Sequence, residues 1–334
     1  MSRLTEAPSV MTPFYHPTSI LVLDDDPLFL ESLDFQFSDE LSCLTFTRPD
    51  AALEHLRSQA GEHPHFGRYF KECPELENGA EGSVGDRILR LQLSELRSLV
   101  EDESRHQRVS VAVVDFDMPK MTGVEFCRAI RDLPVKTILL TGKAGLETAI
   151  GAFNEGVIDC FLQKQDSNVS VSLRREIRRL QHDYFEKIAD PVRNALALHE
   201  PSYLNDPNFL EVFDEVATEN GIVEYYVSAN PAGVMMRDDA DNESFLFMCD
   251  SEQAKERCVA AETLGAPPEM VRLLRTGKAH AWFPTPHGFY HPDFASDWTR
   301  YTSPARQLPG SGAWSYSIIR SDAIHEPELE SRLA

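Results

Sequence analysis

The stretch "VAVVDFDMPKMTG", residues 111–123, carries four apolar residues straight into Asp115, with Asp117, a proline and a glycine close behind. A short apolar run bounded by turn residues reads as a strand buried on both faces of a sheet. Ionised carboxylates at the end of such a strand are costly to desolvate unless something compensates them. The compensating groups must come from other parts of the chain.

They sit after other strands. The apolar run at 18–23 ends in "DDDP" (24–27), and a helical pattern follows with Leu28, Leu30, Leu33 and Phe37. In that turn Asp26 reads as a helix N-cap with Pro27 at the first helical position, which leaves Asp24 and Asp25 unexplained. "CLTFT" (43–47) is a second strand and "PDAALEHL" (49–56) a helix. The strand at 109–115 is followed by a helix at 122–131, and the strand "KTILLT" (136–141) by the helix "LETAIGAFNE" (146–155). "DCFLQ" (159–163) is the last strand of the series.

Alternating strands and helices predict an α/β fold: a flavodoxin-like, doubly wound, five-stranded parallel sheet with its site at the carboxyl ends of the strands. In such a sheet the first and third strands are neighbours, so Asp24, Asp25 and Asp115 converge on one edge. Three close carboxylates raise one another's pKa unless a cation sits among them, and hard oxygen donors suit Mg²⁺. Thr141 ends the fourth strand and Lys164 follows the fifth, so a hydroxyl and an ammonium face the same edge.

The pieces "ILVLDDDP", "VVDFDMPKMTG", "ILLTGKAGLETAIGAFNEG" and "DCFLQK" resemble, in this order, the receiver domain of two-component response regulators. The resemblance covers about 110 residues in two blocks, 17–56 and 109–180. It implies that Asp115 is the phosphoacceptor and that Asp24 and Asp25 are the acidic metal pair. The backbone carbonyl of Asp117 would complete the Mg²⁺ ligands. Thr141 and Lys164 would engage the phosphoryl oxygens, and Phe161 would be the rotating aromatic of the fifth strand. The implied donor is a sensor histidine kinase or a phosphotransfer protein. Within that family, a late phosphoacceptor beside an unfamiliar output domain is similar to the Legionella quorum-sensing response-regulator type.

Three features depart from the family pattern. Gln165 stands where receivers usually carry a proline joined by a cis bond, and a cis bond is disfavoured before a non-proline residue. Asp117 adds an acid two residues past the phosphoacceptor and is expected to change the lifetime of the phosphoryl group. Residues 57–108 form an insertion where receivers have a short connection. Within it, Leu89, Leu93, Leu96 and Val100 predict an amphipathic helix over about 87–103, which covers its own receiver or offers a partner surface.

The receiver is expected over 17–180, an extended linking helix over 168–198, and an output domain over 200–330. Leu173, Ile177, Leu180, Tyr184 and Ile188 recur along the linking helix at nearly coiled-coil spacing, a candidate dimer seam, and Pro191 is expected to kink or end it. Arg174, Arg175, Arg178 and Arg179 read as a solvated or salt-bridged face rather than a nucleic-acid contact.

Residues 200–334 carry 22 acidic against 10 basic side chains, and the whole chain has a formal net charge of −22, so DNA binding ranks last among the outputs. Strands at "GIVEYYVS", "AGVMMRDDADNESFLFMCD", "AHAWFP" and "WSYSII", with helices between, predict an α+β domain whose element order is similar to a PAS-like module. The stretch 279–301 is rich in aromatics and histidines. Core packing is the plainer reading of it, an interface the second, and a metal site from His287, His291 and Asp293 the third.

The six cysteines show no CxxC pair, which fits reduced thiols, and no apolar run is long enough to span a bilayer. The expectation is therefore a cytoplasmic response regulator that is not itself an enzyme. Its output would be contact with a downstream protein or phosphorylation-controlled homodimerisation, with no membrane partner. An enzyme switched by the receiver is the alternative, and a DNA-binding transcriptional regulator the third.

Overall fold

The computed structural model describes residues 11–38, 40–59, 69–72, 89–92, 94–197, 203–285 and 287–320. These divide into two compact units. The first holds the described residues within 16–68 and 99–191; the second holds those within 1–15, 69–98 and 192–334.

Strand β1 (Phe14–Tyr15) belongs to the second unit. The first then runs through β2 (Ser19–Leu23), α1 (Pro27–Phe37), β3 (Ser42–Phe46) and α2 (Pro49–Ser58). Next come β4 (Phe70–Glu72), β5 (Leu89–Leu91) and α3 (Ser94–Glu101). The series resumes with β6 (Val109–Asp115), α4 (Gly123–Ala129), β7 (Lys136–Thr141), α5 (Leu146–Asn154), β8 (Cys160–Gln163) and α6 (Val169–Ala197). Five strands pair in parallel in the order β3-β2-β6-β7-β8, the flavodoxin-like order.

Alternating strand residues fill two cores. Leu21, Leu23, Ala112, Val114 and Leu139 meet residues of α2, α4 and α5. Their neighbours Ile20, Val22, Val111, Val113, Ile138 and Leu140 meet α1 and α6 on the opposite face. The central strands β2, β6 and β7 are buried almost along their whole length and are mostly apolar, whereas the edge strands β3 and β8 are largely half-exposed.

The stripe Leu173, Ile177 and Leu180 of α6 is buried in this second core. It covers its own sheet, which corrects its reading as a dimer seam. The arginines beside it are paired: Arg174 and Arg178 with Glu40, Arg175 with Glu176, and Arg179 with Glu176 and Asp183. Pro191 lies inside α6, which continues to Ala197, so the proline does not end the helix.

The second unit adds α7 (Pro207–Glu219), β9 (Ile222–Ala229), β10 (Ala232–Asp238), β11 (Glu243–Asp250), α8 (Ser251–Thr263) and α9 (Pro268–Arg275). It closes with β12 (Ala279–Ala281), β13 (Thr302–Pro304), β14 (Arg306–Gln307) and β15 (Trp314–Arg320). Its main sheet is antiparallel, in the order β1-β9-β10-β11-β15-β14, and β12 pairs with β13.

The inserted segment differs from expectation. Leu89–Leu91 is a strand paired antiparallel with Phe70–Glu72, and the helix begins only at Ser94. Three residues cannot reveal by periodicity whether they are strand or helix, and the partner strand decides. Leu93 lies outside the described residues; Leu96, Leu99 and Val100 are buried.

β1 was not legible in the sequence. Phe14 and Tyr15 pair with Tyr226 and Tyr225, and the Val227 amide donates to the Pro13 carbonyl at 2.8 Å. The Phe14 ring lies 6.2 Å from that of Tyr69, which comes from the inserted segment. The second unit is thus built from three separate parts of the chain. A fragment starting at residue 200 would lack β1 and Tyr69 and would bare the β9 edge to intermolecular pairing. It is expected to aggregate or melt without cooperativity, whereas the full chain shows one sharp transition for this unit; size-exclusion chromatography and circular dichroism check this.

Candidate functional site

The site lies at the carboxyl edge of the parallel sheet. Where β2 ends, the Asp24 amide donates to the Phe46 carbonyl at 3.1 Å, which carries the sheet register one residue further and draws Asp24 into the interior. One Asp24 oxygen accepts from the Asp26 amide at 3.0 Å. Asp26 turns away and caps α1, accepting from the Leu28 amide at 3.0 Å, with Pro27 first in the helix. Asp25 is exposed.

Asp115 is the last residue of β6, opposite Leu140 on β7, which puts it beside the strand end that carries Thr141. The chain turns sharply after it. A Cβ on Gly123 would lie 2.2 Å from the Asp115 carbonyl oxygen, so only glycine fits where α4 begins. Thr122 and Glu125 close a capping box on that helix.

Ligand atoms of Asp24, Asp25 and Asp115 all lie within 4.8 Å of one another. Lys164 bridges two of them, with Nζ 2.6 Å from Asp24 Oδ2 and 2.6 Å from Asp115 Oδ1, above the Phe29 ring at 4.6 Å. Burial pushes the Asp115 carboxyl above its ordinary pKa, against the lowering pull of Lys164. For Lys164 burial pulls downward, but the bonds to Asp115 and Asp24 outweigh it and hold the ammonium above its ordinary pKa. The donor set is all carboxylate, without imidazole or thiolate, and it fits a hard divalent cation such as Mg²⁺.

Thr141 is buried, and its hydroxyl donates to the Gly142 carbonyl at 2.9 Å. Phe161 is half-buried, edge-on to Phe153 at 6.1 Å. Asp117 is exposed in the turn beyond Asp115, and the Lys164–Gln165 peptide is trans.

Residues 92–171 match the family model described as the response regulator receiver domain. The chain carries a response-regulator receiver domain. That match includes Asp115, Thr141 and Lys164 and begins after Asp24 and Asp25, because the inserted segment splits the receiver into two blocks. The chain is also similar to the Legionella pneumophila response regulator LqsR, at 27% identity with a TM-score of 0.70. That likeness covers 96% of this chain and 92% of that one, so it reaches over both units. Shorter similarities include a response regulator receiver domain protein from Clostridium thermocellum (19% identity, 51% of this chain and 95% of that one, TM-score 0.29). Another is a Francisella response regulator receiver domain (15% identity, 51% and 98%, TM-score 0.29). None of the curated proteins matches this chain. Among the described residues no helix is long and apolar enough to cross a membrane.

Three contributors to the receiver site were missed in the sequence. Phe29 gives Lys164 an aromatic floor. Gly123 allows the tight turn after Asp115. Gly145 leaves room for Thr141, since a Cβ there would lie 2.4 Å from the Thr141 hydroxyl and 2.8 Å from the Phe116 ring. The glycines gave no signal by themselves because what requires them is the close approach of the Asp115 carbonyl and the Thr141 hydroxyl, which only the folded backbone shows.

Among the described residues the second unit does not assemble a metal site from His287, His291 and Asp293, the third reading of the stretch 279–301. His287 and Asp293 are exposed, and His291 Nδ1 pairs with Asp293 Oδ2 at 3.3 Å while capping the short turn Pro292–Phe294. Among the described residues the only group of three or more metal-ligating side chains is the aspartate cluster of the receiver. Trp282, Phe283, Tyr290, Phe294 and Tyr301 are buried, so much of this aromatic stretch is core. His280 is buried between two hydroxyls, with Nδ1 3.1 Å from Ser317 Oγ and Nε2 2.9 Å from Ser315 Oγ.

Two expected outcomes follow from these contacts. Gly145→Ala crowds Thr141 and should destabilise the receiver by about 1–3 kcal/mol in urea titration, as overpacking does. Gly151→Ala, with nothing within 4 Å, should be neutral or stabilising by roughly 0.5–1 kcal/mol. Burial, with Arg257 nearby, lowers the His280 pKa from 6.5 to about 4. The unfolded chain therefore takes up a proton before the folded unit does, and stability is lost as pH falls below 6.5 towards 4. The second unit should be roughly 2 kcal/mol less stable at about pH 5 than above pH 7, and His280→Asn should flatten that dependence.

Proposed function

We propose that this protein is a phosphoacceptor of a two-component phosphorelay, modified on Asp115. The observation that carries the reading is the Lys164 bridge between Asp24 and Asp115 at the carboxyl edge of a receiver sheet. The donor would be a phosphohistidine on a sensor kinase or phosphotransfer protein. An Asp115 carboxylate oxygen bonds to phosphorus while the phosphorus–nitrogen bond breaks; its electron pair stays with the imidazole, which picks up a proton. Asp24, Asp25, Asp115 and the Asp117 carbonyl would hold Mg²⁺, which supplies charge neutralisation at the phosphoryl oxygens. Lys164 keeps one phosphoryl oxygen in place of the carboxylate oxygen it now binds. Thr141 exchanges its bond to the Gly142 carbonyl for another.

The output would work by contact with another protein rather than by turnover. Ile150 and Phe153 are exposed on α5, and Phe161 touches Phe153. A turn of Phe161 that follows Thr141 therefore reaches an exposed apolar surface suited to a partner or a second copy. The paired arginines of α6 give DNA binding no support.

Incubation with Mg²⁺ and a small acyl phosphate should add one phosphoryl group to the wild type and none to Asp115→Asn, read by intact mass. Modification of both equally would sink the assignment. In the same assay Asp117→Asn should change the phosphoryl half-life several-fold, and light scattering should report whether the modified chain gains mass as a dimer.

A further inference from the structure

Arg257 on α8 is a half-buried cation with no ion pair among the described residues. Its guanidinium stacks on three rings, 4.6 Å from the Trp282 centroid, 5.1 Å from Phe289 and 5.3 Å from Phe247. It donates to two backbone carbonyls, Gly288 at 3.0 Å and His287 at 3.3 Å. Among the described residues no carboxylate lies within ion-pair distance of it. The nearest acid in sequence, Glu256, is exposed. A guanidinium has five N–H donors, and among the described residues three of these remain without an acceptor.

Other contacts fix the group in place. A Cβ on Gly288 would lie 2.4 Å from the Trp282 ring, so the loop backbone presses on the indole that carries the arginine. Phe247 and Trp282 are buried, and His280, edge-on to Phe247 at 5.4 Å, is kept neutral by burial and so does not add a second positive charge. Desolvation of an unpaired cation is expensive, and a purely structural staple would be served as well by an uncharged donor. Stacking on aromatic faces leaves the edge of the fork as the part that binds, and that edge matches the paired oxygens of a carboxylate or phosphate.

We infer that Arg257, held by Trp282, Phe289 and the 287–288 carbonyls, is the recognition group of an oxyanion site in the second unit, for a small ligand bearing a carboxylate or a phosphate. The site is independent of the phosphoacceptor chemistry at Asp115. It puts the exposed His287 side chain on the loop that the arginine holds and gives the aromatic stretch around residue 282 a use besides core packing.

The test uses tryptophan fluorescence of the full chain. All three tryptophans, Trp282, Trp298 and Trp314, lie in the second unit, so an anion at the receiver cluster has no reporter there. Sodium acetate and inorganic phosphate are titrated separately, with ionic strength held constant by sodium chloride. A saturable change with a dissociation constant on the order of millimolar is expected for one or both. Preference for phosphate assigns a phosphoryl-bearing ligand, and preference for acetate a carboxylate. Arg257→Gln should weaken binding about tenfold or more, and Arg257→Lys, which keeps the charge without the fork, should weaken it less. No saturable change in the wild type with either anion overturns the inference, as does an unaltered titration in Arg257→Lys together with a folded Arg257→Gln.

Discussion

The receiver depends on the way two buried carboxylates are tolerated at the edge of a dry sheet. Asp24 and Asp115 are each delivered by an apolar strand whose interior has no polar partner to offer. Their charges are answered by Lys164, which arrives from the far side of the sheet at the end of β8 and touches both at 2.6 Å. The strand order makes this possible, since β2 and β6 are adjacent and β8 follows β7 at the edge. Burial raises the Asp115 pKa, and the same burial strengthens its attraction to Lys164. A group held in this balance responds to any change in local charge, and a phosphoryl group is a large one.

The two units use polar burial differently. In the receiver the buried carboxylates Asp24 and Asp115 are paired with Lys164 and sit where chemistry would occur. In the antiparallel unit the polar groups held among apolar ones include a neutral histidine between two serines, a buried Glu224 that accepts from the Tyr226 hydroxyl, and a half-buried arginine that rests on aromatic rings. The first arrangement is a charge balance open to a new anion and a cation. The second includes a preorganised donor set whose charge has no ion pair among the described residues.

Much of the fold was legible because its signals are local. Asp26 and Pro27 announce the start of α1, and the apolar runs announce the strands, most plainly the central β2, β6 and β7, because a strand buried on both faces has no room for alternation. The arginines of α6 were legible as a solvated or salt-bridged face, but the pairing of Arg174 and Arg178 with Glu40 was not. The candidate site followed from chain order alone, since residues just past successive parallel strands must share one edge. Leu173, Ile177 and Leu180 were legible as a buried stripe, but their partner was not. The spacing that suits a second helix also suits the sheet they cover.

By itself the sequence determined the five-stranded parallel sheet, the convergence of Asp24, Asp25, Asp115, Thr141 and Lys164, and most of the strands and two of the helices beyond residue 200, but not α7, β13 or β14. Each rests on periodicity, capping or order along the chain. Only the tertiary structure decided that Phe14 and Tyr15 extend an antiparallel sheet begun two hundred residues later, and that Leu89–Leu91 is strand rather than helix. It also set Phe29 under Lys164, Gly145 against Thr141, and Arg257 on Trp282. Apart from Gly145 and Thr141, these are contacts between residues well separated in sequence, and their free energy comes from mutual burial that neither partner displays alone.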